Sequence, residues 1–210
     1  MATRRIRALI AALKPVTVRA HCDTADGPLV KDGTRALLTG NINHALKWIP
    51  VRDEDELRGV FDRAQRVRGA AGEATSLADQ LFLETLARIH RVAEGAGFTG
   101  IKPSGTEVPA VVRAADAALE SGTDADLLAL LPEERRAELD RRFLAAGALA
   151  DFDVDDVEAG RRYLDAYVSF VGYAEGEDRD RHMHHEPGRG PAGSCSGHEH
   201  QEVSCGASRG

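Results

Sequence analysis

From residue 53 to residue 94, apolar side chains return every third or fourth position, and over those residues they do not alternate with polar ones as a strand's would. That spacing lines one face of a helix and leaves nothing to cover one face of a sheet. Residues 53–69 carry Leu57, Val60, Phe61, Ala64 and Val67. The next helix, capped by Thr75 or Ser76, carries Leu77, Leu81, Phe82, Leu86, Ile89 and Val92 or Ala93, and stops at Glu94 before Gly95. Punctuation cuts the rest into similar lengths: 28–38 ended by Gly40, a short segment from Asn41 closed by Pro50, then 108–119, 124–131, 132–149 with Pro132 in its first turn, and 154–173. Residues 97–105, GFTGIKPSG, are a connecting loop. The expected fold class is all-α, an antiparallel helical bundle, carrying a disordered His/Cys-rich C-terminal tail. The expected division is a leader or pro-segment at 1–20, a helical domain at 21–176 and the tail at 177–210.

Composition removes several function classes. A net charge of −7 does not give the basic footprint of a nucleic-acid binder, so no nucleic-acid partner is expected. No apolar run reaches membrane-spanning length. The three cysteines stand at the two extremes, so thiol or metal chemistry is expected there in place of disulfide stapling. There is no nucleophile-elbow serine motif, phosphate-binding loop, dinucleotide glycine fingerprint or H-E-x-x-H, and the acidic run Asp151, Asp153, Asp155, Asp156 lacks the spacing of a calcium loop. That run instead supplies an acidic N-terminus for the last helix.

Residues 16–27, VTVRAHCDTADG, follow a short basic and apolar leader that leaves cytoplasmic and exported destinations both open. His21, Cys22 and Asp23 offer three ligand or acid–base groups in a row. Cleavage after Ala20 would add the α-amine of His21, giving a nitrogen and sulfur set suited to nickel or copper. The tail holds five of the eight histidines, with His182, His184, His185, Cys195, His198, His200 and Cys205 as soft or borderline donors for nickel, copper or zinc. His90 and Glu94 share a helix face at i, i+4. They either complete a metal site or belong to an ion-paired surface helix, with Glu84, Arg88 and Arg91 on another face. His44, four residues before Trp48, is read as packing.

The segment VTVRAHCDTADG resembles the start of nickel-containing superoxide dismutases, in which a pro-segment ending VTV-x-A precedes a His-Cys-Asp-x-x-Cys-Gly hook. The resemblance implies a nickel cofactor held by His21 and Cys22, Asp23 and Gly27 as hook residues, a superoxide-dismutase-like oxidoreductase activity and a homo-oligomer. The second hook cysteine corresponds to Asp26 here, which withholds the second thiolate. HCDTADGPLVKD, LKWIP, ETLARIHRVAEGAGFTGIKPSG, DAALESG and YVSFVGYAEG together resemble a bacterial family of uncharacterised function across roughly residues 20–176. The expected function is transition-metal binding through the N-terminal hook. The alternatives are metal storage or delivery through the tail, and a helical interaction module whose metal binding is incidental.

Overall fold

The structure, a computed structural model, describes residues 21–69 and 72–176. Regular structure among these residues is helical: α1 Pro28–Thr39, α2 Asn43–Leu46, α3 Glu54–Arg68, α4 Glu73–Ala93, α5 Ala110–Ser121, α6 Ala125–Ala129, α7 Glu133–Gly147 and α8 Val157–Glu175. The chain is therefore all-α over its described part. The leader and the tail, with His182, His184, His185, Cys195, His198, His200 and Cys205, lie outside the described residues.

Local chemistry explains several boundaries. Pro28 starts α1, where its missing N–H costs nothing, and Gly40 ends it at φ 72°. Asn41 Oδ1 accepts the Asn43 N–H at 2.9 Å in a turn that leads into α2, whose cap position is Ile42. Asp156 accepts the Ala159 N–H at 2.8 Å, capping α8. Pro132 sits at the cap of α7, just before its first turn.

Two expectations about α4 need correction. It begins at Glu73, with Gly72 before it at φ 102°, so Thr75 and Ser76 fall inside the first turn. The Thr75 N–H bonds to the Gly72 carbonyl at 3.1 Å. The apolar stripe is also narrower than its composition: Phe82, Leu86 and Ile89 are buried, whereas Leu77, Leu81 and Val92 are 62%, 55% and 60% exposed. On a wheel of about 100° per residue the exposed three share one edge of the stripe. α4 packs against α3 and α1, and those neighbours cover the sector of Phe82, Thr85, Leu86, Ile89 and His90. Val67, at the far end of the α3 stripe, is also partly exposed.

One core runs through the helices. Leu29 of α1, Leu57 of α3, Phe82 and Leu86 of α4, Val112 of α5, Leu139 of α7 and Phe170 of α8 are fully buried. Burying an aliphatic or aromatic side chain of this size contributes about 2 kcal/mol. Phe61 meets Phe82 at 5.3 Å between ring centroids, joining α3 to α4, and Phe143 meets Phe170 at 5.7 Å, joining α7 to α8. Buried Arg161 pins α8 to the α2–α3 connection. It donates to the carbonyls of Leu46 and Ile49, both at 3.3 Å, and pairs with Glu54 and Glu158. That connection carries Trp48, which borders the site.

Candidate functional site

The His-Cys-Asp run is not a free strand end but a tight turn. The His21 carbonyl accepts the Thr24 N–H at 3.2 Å and the Thr24 hydroxyl at 3.0 Å, and the Thr24 carbonyl accepts the Gly27 N–H at 2.9 Å. A Cβ on Gly27 would lie 2.3 Å from the His21 oxygen and 2.9 Å from that of Cys22. Only glycine lets the turn close this tightly.

The 97–105 loop clamps the turn from outside. The Lys102 N–H donates to the Asp23 carbonyl and the Ala25 N–H to the Lys102 carbonyl, both at 2.9 Å, a one-residue parallel bridge. Asp26 accepts the Gly105 N–H and the Ser104 hydroxyl, both at 3.0 Å. The Gly105 N–H first, and the Ser104 hydroxyl second, hold its pKa down to about 2. The Asp26 carboxylate is thus a surface clip for this loop.

His21, Cys22 and Asp23 are buried, at 8%, 2% and 2% exposure. His21 Nε2 lies 3.2 Å from Asp116 Oδ2 on α5, and the Tyr167 hydroxyl on α8 donates to Asp116 Oδ1 at 2.8 Å. On the other side, Asp23 Oδ2 lies 3.1 Å from Arg91 Nε, and Arg91 Nη1 lies 3.0 Å from Glu94 Oε2. Burial dominates the acidities here. It raises Asp23 to about 6 despite Arg91 and Lys102, and it raises Asp116. The Cys22 thiol is pushed well up by burial, then by Glu94, Asp23 and Asp116, so it stands protonated at neutral pH.

His90 is fully buried, which corrects the surface-helix reading of α4 at this position. Its Nδ1 lies 3.0 Å from the Trp48 carbonyl, and its ring meets the Trp48 ring edge-on at 5.6 Å. A carbonyl only accepts, so Nδ1 carries the proton and Nε2 presents a lone pair. Nε2 has no hydrogen-bond partner and faces Glu94 Oε1 at 3.9 Å. Burial lowers the His90 pKa to about 4, so the ring is neutral at neutral pH.

The chain belongs to a family of unknown function (DUF6448). The family matches residues 26–173. That span holds His90, Arg91, Glu94, Asp116 and Tyr167, and it begins just after His21, Cys22 and Asp23. No curated protein and no solved structure matches the chain.

The fold therefore brings together the two separate sequence candidates, His21–Cys22–Asp23 and His90–Glu94, through Arg91. It commits the Asp26 carboxylate to the clamp, and Asp26 also lines a cavity with His21 and Asp116. Among the described residues no three His, Cys, Asp or Glu groups stand close enough together to hold one ion. The sequence reading missed Asp116 and Tyr167. The available signal was an acid, Asp116, four residues after Val112 and so on the same face of an alanine-rich helix, where a carboxylate beside apolar residues calls for a partner. A cavity of 220 Å³ lined by His21, Lys31, Asp116, Glu120, Tyr163 and Tyr167 opens this side of the cluster.

Proposed function

We propose that the chain is a transition-metal binding protein, taking nickel or copper at His21, Cys22, Asp23, His90 and Glu94. One observation carries this reading. Two buried histidines, His21 and His90, each rest one ring nitrogen against an oxygen acceptor, and in each the other nitrogen is buried without a hydrogen-bond partner. In His90, whose ring is neutral, that leaves a buried lone pair, the arrangement in which an outer oxygen orients a ligating imidazole. Asp23 Oδ1 is a further buried acceptor without a donor. A bound cation is one partner that would satisfy these acceptors.

Arg91 is the cation now resident between Asp23 and Glu94. Metal entry requires these donors to close up and Arg91 to give way. Coordination would strip the Cys22 proton, and a chain beginning at His21 would add its amine. Superoxide-type redox chemistry calls for a second sulfur. Cys22 is the only cysteine among the described residues, and Asp26 is committed to Ser104 and Gly105. Binding, not dismutation, is the function proposed.

The test is metal content after dialysis, for the full chain and for a chain beginning at His21. Each is compared with Cys22→Ser, His90→Gln and a deletion of residues 177–210. About one nickel or copper per chain that survives the tail deletion and is lost in both point variants supports the site. Metal that leaves with the tail and ignores both point variants overturns it and makes the tail the binding segment.

A further inference from the structure

A second cavity, of 360 Å³, lies between α1, the segment around Trp48, residues 150–154 and α8. It is independent of the metal reading, although it shares Tyr163 and Tyr167 with the smaller cavity at His21. Small-molecule sites typically run from about 300 to 1,000 Å³, with mostly apolar or aromatic walls and a few placed polar groups.

Four of its lining residues are aromatic: Trp48, Phe152, Tyr163 and Tyr167. Phe152 and Tyr163 meet at a tilt of 33° with centroids 5.5 Å apart, and Tyr163 and Tyr167 at 34° and 6.3 Å. The packing that makes this wall depends on Gly160 of α8. A Cβ there would stand 3.0 Å from the Phe152 ring and 3.1 Å from Lys47 Cβ.

The charges are unequally matched. Asp32 accepts from Lys47 Nζ at 2.9 Å and from Trp48 Nε1 at 2.8 Å, so its lining oxygen is occupied twice. Lys47 is largely buried and also lies 5.1 Å from the Phe152 ring centroid. Arg35, exposed on α1, lines the same cavity with no carboxylate partner among the described residues. Asp32, Arg35 and Lys47 are its formally charged lining residues, so with neutral His44 its lining carries one net positive charge.

We propose that this cavity binds a small planar aromatic carboxylate, with its ring between the aromatic walls and its carboxylate on Arg35. Flat rings favour a flat ligand, since offset and edge contacts between rings add to the area they bury. A single uncompensated guanidinium favours one carboxylate, which it can grip with two parallel N–H donors.

The protein carries its own reporter, because Trp48 is its one tryptophan. The full chain is titrated with benzoate, with cyclohexanecarboxylate as the non-planar anion and with benzyl alcohol as the uncharged ring. Trp48 emission and ligand-observed NMR are the readouts. Saturable benzoate binding is expected, with each control at least about tenfold weaker. Arg35→Gln, at an exposed position, is expected to weaken benzoate about tenfold, the value of one charge-assisted hydrogen bond. Phe152→Ala is expected to weaken it by a similar factor. The proposal is overturned if benzoate gives no saturable change up to about 10 mM, roughly −3 kcal/mol. It is equally overturned if the three probes bind alike, or if Arg35→Gln binds benzoate as the parent does.

Discussion

His90→Gln should change how stability depends on pH, and the size of the change follows from burial. Glutamine can still donate to the Trp48 carbonyl, but it does not titrate. In the folded chain burial lowers His90 from its ordinary 6.5 to about 4. The unfolded state therefore binds more protons between those two values, and the parent loses stability as pH falls through that window. The full gap corresponds to about 3 kcal/mol, of which about 2 kcal/mol is lost between pH 7 and pH 5. Asp23 works in the opposite direction. Its folded value of about 6 lies above the ordinary 3.8, so the folded state holds the extra proton and stability rises as pH falls below about 6. Asp23 thus offsets part of the His90 effect in the parent, and the difference between parent and variant isolates His90. The assay is urea denaturation followed by circular dichroism at pH 7 and pH 5, with a chelator present. The variant should gain about 2 kcal/mol relative to the parent on going to pH 5. A difference that does not move with pH would refute a neutral, buried His90.

Two further outcomes test the packing. Leu86→Ala should cost about 2–5 kcal/mol by opening a cavity in the core, whereas Leu81→Ala, 55% exposed, should stay within about 0.5 kcal/mol; thermal melts of the pair check the corrected stripe on α4. Gly27→Ala drives a methyl into two backbone carbonyls and should destabilise by about 1–3 kcal/mol. Its amide exchange should quicken at Ala25 and Lys102, the bridge that holds the turn, and unchanged protection there would count against the clamp.

The site was legible only in pieces. His21, Cys22 and Asp23 stood out because three ligand-type residues adjoin in sequence, and His90 with Glu94 because i, i+4 places them on one helix face. Nothing local indicated that Arg91 joins the two groups, since the 23-to-91 separation is closed only by packing α4 against the segment before α1. The 97–105 loop read as a connector because glycine and proline signal only the absence of a helix. Its amides and the Ser104 hydroxyl act as partners for residues 23–26 once the two segments meet.

Helix content, most helix ends and the membership of much of the core follow from the sequence alone. They depend on local quantities: apolar period, missing proline N–H groups, side-chain caps and glycine at positive φ. Which face of a helix is covered depends on its neighbours, and so Leu77 and Leu81 fell outside while His90 fell inside. Burial also sets the chemistry. The same histidine would be half-charged near pH 6.5 in water, yet the packing of Trp48 over it leaves a neutral ring with one nitrogen lone pair and no donor to meet it.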